Sequence, residues 1–127
     1  MKHKPLDMLI ADDEETIRTY FVRVLNRLGH ECDEAVDGKD CIKKCSQKKY
    51  DVVFLDLVMP LIDGNTVLKQ IRKDSPELAI IFISVQDDED AIREILDAGA
   101  TAYLTKPISS DDIEGVVYTL QQEHKVG

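Results

Sequence analysis

Five short strand-like runs, most of them aliphatic and each followed by a segment with helical periodicity, restrict the fold of this chain more than any other feature. In the first helical segment, apolar residues recur every three or four positions from Ile17 to Leu28, which is the spacing of one helix face. Runs that are apolar throughout are typical of parallel strands buried on both faces. The order therefore predicts an α/β fold, with a five-stranded parallel sheet doubly wound by helices. The predicted strands are Met8–Ala11, Glu31–Val36, Val52–Leu55, Leu78–Val85 and Thr101–Leu104.

The ends of the predicted helices carry recognisable signals. Gly29 follows the first helix pattern and is a suitable C-terminal cap, because glycine accepts a left-handed backbone conformation. Ser109 and Asp112 have the spacing of a capping box at the start of the last helix. No repeat or linker interrupts the 127 residues, so we expect a single domain over 1–127 with its core at about 7–122. Only Met1 to Leu6 and Gln121 to Gly127 read as loose ends.

The charge balance argues against several classes of protein. The chain has 16 basic and 25 acidic residues, a net charge of −9, whereas binding to nucleic acid or to an anionic membrane requires a positive surface. The polar start gives no sign of a secretion signal, and no apolar run approaches the roughly 20 residues of a membrane span. We therefore expect a cytoplasmic protein with no direct nucleic-acid or membrane contact.

The three cysteines fit reduced thiols in that compartment. Cys41 and Cys45 lie four positions apart, so they would share one face of a helix. A metal or redox pair is one reading of this spacing, but filling of the core is favoured because no further Cys or His lies at ligand spacing. The three histidines are isolated in sequence and indicate no catalytic cluster.

Polar residues come directly after the predicted strands. Because parallel strands all end at one edge of the sheet, where ligands bind, these side chains should lie together. Each also has an ordinary explanation, as a helix-end acid, a loop cap or a surface charge. A solvated cap, however, needs no apolar run such as Val52–Leu55 leading into it. The residues at this edge are Asp12 and Asp13 after the first strand, Asp37 after the second, Asp56 after the third, Ser84 at the end of the fourth, and Thr105 and Lys106 after the fifth.

This set of side chains suits a hard cation and a phosphoryl group. Clustered carboxylates repel one another, and Mg²⁺, which takes oxygen ligands and keeps some waters, relieves that repulsion. Asp12, Asp13 and Asp56 could supply oxygens, together with a backbone carbonyl just after Asp56. Lys106 could neutralise one phosphoryl oxygen, and the Ser84 hydroxyl could bind another. One carboxylate could also be a nucleophile, as in aspartyl-phosphate chemistry.

Four segments in this order and spacing resemble the receiver domain of two-component response regulators. They are IADDEE (10–15), FLDLVMPLIDG (54–64), FISV (82–85) and DAGATAYLTKP (97–107), and the resemblance extends over about 7–122. It implies a CheY-like, flavodoxin-like (βα)5 fold with strand order 2-1-3-4-5. It also implies a signalling switch rather than an enzyme, with self-catalysed phosphoryl transfer and only slow autodephosphorylation.

The resemblance assigns roles at the site residue by residue. Asp56 matches the phospho-acceptor, which takes a phosphoryl group from the phosphohistidine of a sensor kinase or a phosphotransfer protein. Asp13 matches a direct Mg²⁺ ligand, Asp12 a ligand acting largely through water, and the backbone carbonyl of Val58 a third protein ligand. Lys106 matches the lysine that pairs with the phosphoryl group. Mn²⁺ is an alternative ion for the same site.

Further roles concern the switch and its output. Ser84 matches the hydroxyl that moves toward the phosphoryl group, and Tyr103 matches the aromatic residue that turns inward behind it. Lys106–Pro107 matches a peptide bond that is usually cis in the family. Phosphorylation would then change the surface of the fourth helix, fifth strand and fifth helix, which controls an output domain or effector and could support a homodimer. The chain is either a stand-alone protein or one domain of a longer regulator.

Three positions bear on the lifetime of the phosphoryl group. Val85, next to Ser84, is larger than the residue usual there in the family and would narrow access to the site. Val58, two residues past Asp56, cannot position a hydrolytic water, whereas Gln86 could.

The main alternative to a signalling switch is a Mg²⁺-dependent phosphatase, in which an acid often occupies the position of Val58. A pseudo-receiver that binds partners without phosphate is disfavoured by the intact site residues.

Overall fold

The computed structural model describes residues 4–123, and its strands form one parallel sheet. The strand order is β2-β1-β3-β4-β5, which confirms the predicted fold class and topology. Adjacent strands are in parallel register, for example with Phe54 beside Ile10 on one side and Ile81 on the other. The strands are β1 Asp7–Ala11, β2 Glu31–Ala35, β3 Val52–Asp56, β4 Ala79–Ser84 and β5 Ala102–Thr105.

Five helices cover the two faces of the sheet. One core cluster joins α1 and α5 to the sheet through residues such as Phe21 and Val117. The other joins α2, α3 and α4 through residues such as Cys41, Leu68 and Ile95. The helices are α1 Glu15–Arg27, α2 Gly38–Gln47, α3 Gly64–Asp74, α4 Glu89–Asp97 and α5 Ser110–Gln122.

The central strands supply side chains to both clusters in alternation. Phe54 packs with α1 and α5, whereas its neighbours Val53 and Leu55 pack on the opposite face. All five residues of β3 and all six of β4 are buried. This double burial explains why these strands are apolar up to their last residues, Asp56 and Ser84, and do not alternate between apolar and polar side chains.

Local sequence signals fix the helix ends. The predicted capping box is present, because the Ser109 hydroxyl accepts from the Asp112 N–H while the Asp112 carboxylate accepts from the Ser109 N–H. Gly29 has a φ of 94° and follows the α1 C-cap, as expected. Aspartates cap α2, α3 and α4 by accepting a backbone N–H in the first turn of each helix.

The prediction of loose ends is wrong for two residues. Leu6 is only 1% exposed, its N–H donates to the His30 ring, and its carbonyl accepts from Glu31. Gln121 is also buried, in the last turns of α5. A buried leucine directly before a strand extends the core, which the polar residues around it concealed. Of the other residues in that prediction, Lys4, Pro5, Gln122 and Glu123 are exposed, and residues 1–3 and 124–127 lie outside the described part of the chain.

The cysteines behave as core and partly buried side chains. Cys41 is fully buried in α2, and Cys45 packs beside the same cluster. All three thiols are free, which agrees with the expectation of unpaired cysteines.

Among the described residues, no helix combines the length and hydropathy that a membrane span would need.

Candidate functional site

The sheet brings the predicted polar residues to one edge. Asp12 directly follows β1, Asp56 ends β3, and Ser84 ends β4. The backbone continues the strand pairing there, because the Asp12 N–H donates to Ala35 and the Lys106 N–H donates to Ser84. Backbone hydrogen bonds to neighbouring strands therefore hold the chain at the points from which these side chains project.

Three carboxylates converge at this edge. Each of Asp12, Asp13 and Asp56 offers an oxygen, and the three oxygens lie within 4.8 Å of one another. Asp12 is fully buried and Asp56 is 4% exposed, whereas Asp13 is open to solvent. A cluster of hard oxygen donors with one exposed member suits a divalent cation such as Mg²⁺ that retains bound water.

Lys106 provides the positive charge of the site. Its Nζ lies 3.1 Å from Asp12 Oδ2 and 3.7 Å from Asp56 Oδ2. Burial lowers the pKa of Lys106, but the attraction of Asp56, Asp12 and Glu14 outweighs burial and raises the pKa overall. The ammonium group is therefore held in its charged form beside two carboxylates.

Asp56 is an unusual carboxylate because its negative charge is disfavoured. Burial and repulsion by Asp12 raise its pKa to about 6, against the attraction of Lys106 and the hydrogen bond from the Val58 N–H. That hydrogen bond reaches Asp56 Oδ1 at 3.2 Å, so the carboxylate is oriented as well as desolvated. A poorly solvated, oriented carboxylate is suited to act as a nucleophile.

Ser84 and Tyr103 are connected through one residue of the β4–α4 loop. The Gln86 N–H donates to Ser84 Oγ at 3.1 Å, and the Gln86 carbonyl accepts from the Tyr103 hydroxyl at 3.0 Å. Ser84 is buried, and the Tyr103 ring packs at the edge of the core cluster on the α2–α3–α4 face. The two side chains named for the switch thus bind the two ends of a single residue.

Exposed aliphatic side chains lie on the loops around Asp56. Val58 is 60% exposed and Val85 is 72% exposed, and they follow the ends of the adjacent strands β3 and β4. Leu61 is 90% exposed and has a φ of 74°. The rim of an acidic site is therefore apolar on the β3 and β4 loops.

The structure shows the role of Asp37 and the geometry of the Lys106–Pro107 peptide bond. Asp37 caps α2 by accepting from the Asp40 N–H, and it is not part of the carboxylate cluster. The Lys106–Pro107 peptide bond is cis, as the resemblance implies.

The sequence alone assigned no role to two residues at the site, Gly64 and Arg18. Gly64 leaves no room for a side chain, because a Cβ would lie 2.6 Å from the Asp56 carbonyl oxygen. Arg18 reaches back from α1 to bind the carbonyl of Asp12. The only signal for Arg18 was a basic residue three positions after a run of four acids.

Comparison with known proteins gives a consistent result. The family model described as the response regulator receiver domain matches residues 8–118. The alkaline phosphatase synthesis transcriptional regulatory protein PhoP of Bacillus subtilis is 32% identical over 119 residues, which are 94% of this chain and 50% of PhoP. The chain spans about half the length of PhoP and, at 47%, of a mycobacterial response regulator MprA.

Solved structures share the fold closely. The receiver domain of the Francisella response regulator 1452 is 31% identical with a TM-score of 0.87, covering 94% of this chain and 98% of that one. CheY in the CheX–CheY–BeF3–Mg²⁺ complex from Borrelia burgdorferi is 26% identical with a TM-score of 0.89, covering 93% and 90%. With the matched family model, the strand order and the acidic cluster at the sheet edge, the chain belongs to the response regulator receiver domain family of two-component signalling.

Proposed function

We propose that Asp56 accepts a phosphoryl group from a sensor histidine kinase or a phosphotransfer protein in a Mg²⁺-dependent reaction. The observation that carries this proposal is the buried Asp56 carboxylate, with Asp12 and Asp13 oxygens within 4.8 Å and Lys106 Nζ at 3.7 Å. A nucleophile, a cation site and a compensating ammonium group meet there, which are the parts that phosphoryl transfer to a carboxylate requires.

The donor set fits Mg²⁺, with Mn²⁺ as an alternative ion of similar ligand preference. Asp13 is exposed and suited to direct ligation, together with Asp56 and the backbone carbonyl of Val58. Both oxygens of Asp12 already accept hydrogen bonds, from the Glu14 N–H and from Lys106, so Asp12 is suited to act through water. When bound, the ion would neutralise charge on the phosphoryl oxygens.

The remaining steps belong to the chain itself. An Asp56 oxygen forms a bond to phosphorus while the bond from phosphorus to the donor's histidine nitrogen breaks, and the electron pair leaves with that nitrogen. Lys106 pairs with the transferred group, which carries about 1.5 to 2 negative charges in place of the single charge of the carboxylate. The Ser84 hydroxyl is buried beside this position and donates to a phosphoryl oxygen after it rotates.

The switch follows from the contacts of Gln86. Rotation of Ser84 toward the phosphoryl group removes the acceptor of the Gln86 N–H and frees the β4–α4 loop to move. Because the Gln86 carbonyl also binds the Tyr103 hydroxyl, movement of this loop is transmitted to β5. The α4–β5–α5 surface would then change its affinity for an output domain, a downstream effector or a second copy of the chain.

The phosphoryl group should be lost slowly, so the protein works as a switch and not as a turnover enzyme. Val58 offers no group to position a hydrolytic water, and Val85 crowds the approach from the β4 side. Gln86 is the residue nearby that could orient water. Equal rates of phosphoryl loss from the parent and from Gln86→Ala would remove Gln86 from that role.

The wider setting is also proposed. We expect the whole chain, 1–127, to act as a single receiver domain, either alone or within a longer regulator, in the cytoplasm. The net charge of −9 supports protein partners and not direct contact with nucleic acid or membrane.

The test is incubation with acetyl phosphate and Mg²⁺, read by intact mass. The parent and Asp97→Asn, which alters an exposed carboxylate of α4, should gain one phosphoryl adduct, whereas Asp56→Asn and an EDTA-treated parent should gain none. An adduct on Asp56→Asn would overturn the assignment of the acceptor. Repeated hydrolysis of a phosphoester by the parent would instead support a phosphatase.

A further inference from the structure

Arg18 is a charged residue of α1 whose side chain is largely removed from solvent. Its side chain is 11% exposed, whereas Arg23 and Arg27 of the same helix are exposed. The guanidinium does not extend into water but turns back toward the β1–α1 loop. Arg18 Nη1 donates to the carbonyl oxygen of Asp12 at 2.7 Å, and Nε donates to Glu34 Oε1 at 3.1 Å.

The carbonyl that Arg18 binds belongs to the peptide group that links Asp12 to Asp13. The other polar atoms of Asp12 are also engaged, because its N–H donates to Ala35, Oδ1 accepts from Glu14, and Oδ2 accepts from Lys106. Without Arg18, this carbonyl would be the one polar group of Asp12 that has no hydrogen bond to another described residue. Arg18 therefore completes the set of contacts that fixes the orientation of the Asp12–Asp13 peptide.

Asp13 has no comparable support of its own. It is exposed and receives no hydrogen bond from the described residues, although its carboxylate belongs to the acidic cluster. The direction in which its side chain leaves the backbone is set by the peptide group that precedes it. A contact that fixes that peptide consequently fixes where the Asp13 carboxylate can reach.

The charge of Arg18 is already paired. Glu34, at the end of β2, lies 3.1 Å from the guanidinium and holds it in the orientation that binds the Asp12 carbonyl. This pairing offsets much of the electrostatic effect of Arg18 on the nearby carboxylates. The contribution of Arg18 to the site is therefore mainly geometric.

We propose that Arg18 is a positioning residue that preorganises Asp13 for a divalent cation by holding the Asp12–Asp13 peptide. The inference rests on the proposed Mg²⁺ site and adds a residue that does not touch the ion. It predicts a change in Mg²⁺ affinity on removal of Arg18 that is opposite in sign to the change expected from charge alone. Removing a positive charge near an acidic cluster should strengthen cation binding, whereas removing a positioning contact should weaken it.

The test is the Mg²⁺ affinity of the unphosphorylated protein, measured by isothermal titration calorimetry. Arg18→Ala should bind Mg²⁺ about ten-fold more weakly than the parent. This is the lower end of the loss in metal affinity expected when a group that orients a ligand is removed. Arg18→Lys should recover part of the affinity, because an ammonium group can still donate to the Asp12 carbonyl. Arg23→Ala is the matched control, since it removes the same charge from the same helix without a contact to Asp12, and it should bind at least as tightly as the parent.

A second readout separates positioning from general damage to the site. At saturating Mg²⁺, Arg18→Ala should be phosphorylated by acetyl phosphate at close to the parental maximal rate, because the ion restores the geometry that Arg18 supplied. Unchanged or tighter Mg²⁺ binding by folded Arg18→Ala would overturn the inference, as would a large loss of maximal rate at saturating Mg²⁺. A parent that binds no Mg²⁺ would instead defeat the proposed function itself.

Discussion

The Asp56 carboxylate is held in place at a cost to the stability of the fold. Its carboxylate is buried, lies beside Asp12, and has a pKa raised to about 6 by burial and by that repulsion. The attraction of Lys106 compensates only in part. The folded protein in the absence of a cation therefore carries electrostatic strain at the residue that we propose as the phospho-acceptor.

This strain predicts that Asp56→Asn is more stable than the parent at pH 7. The amide removes a buried negative charge but keeps the size of the side chain, and Lys106 retains its 3.1 Å contact with Asp12. We expect the free energy of unfolding to rise by about 1–2 kcal/mol in urea denaturation with EDTA present. Asp97→Asn, in an exposed position of α4, should change it by less than about 0.5 kcal/mol. Lower stability of Asp56→Asn would mean that its bond from Val58 or its pairing with Lys106 outweighs the repulsion.

At the scale of elements, the β3–α3 loop contains a three-residue turn centred on Leu61. The Ile62 N–H donates to the Pro60 carbonyl at 2.9 Å, and Leu61 between them has a φ of 74°. A leucine in this region is strained, because its Cβ approaches the backbone, at a cost of about 1–3 kcal/mol. Because the Leu61 side chain is 90% exposed, its burial contributes little stability to offset this strain.

Leu61→Gly should therefore stabilise the protein, by about 1 kcal/mol, since glycine adopts positive φ readily and the strain exceeds the entropy that glycine adds to the unfolded chain. Leu61→Ala is the matched control, because it removes the exposed side chain but keeps the Cβ, and it should resemble the parent. Thermal and urea unfolding would measure both. Equal stability of the glycine and alanine variants would show that the turn is not strained.

The elements also explain which parts of the site could be predicted from the sequence. Four site residues could be predicted from the sequence because parallel strands bring the residues at their ends to one edge of the sheet, however far apart they are in sequence. These residues are Asp12, Asp56, Ser84 and Lys106. The Arg18 contact was not, because it depends on the direction of a long side chain toward a backbone carbonyl. The turn at Leu61 was also hidden, because leucine is a residue type that normally avoids positive φ.

At the scale of the whole molecule, His30 joins the start of the sheet to the end of α1. The ring Nδ1 accepts from the Leu6 N–H at 3.1 Å, while the backbone N–H of His30 donates to the Leu25 carbonyl. The ring can accept at Nδ1 only in its neutral form. Burial lowers the pKa of His30 from 6.5, against the opposing attraction of Asp51. The folded state thus favours neutral His30 more than the unfolded chain does.

Global stability should consequently decrease on acidification through this residue. Because the pKa is lower in the folded state, the unfolded chain binds more protons, so stability is retained above the unfolded pKa of about 6.5 and is lost as the pH falls through the folded value. His30→Asn provides the comparison, since its Oδ1 can accept from Leu6 but does not titrate. Urea denaturation from pH 8 to pH 5 should show the parent losing about 1 kcal/mol more than this variant, the contribution of one hydrogen bond. Parallel profiles would show that the Leu6–His30 contact survives protonation, and that the attachment of the first buried residue to the fold does not depend on the charge of the ring.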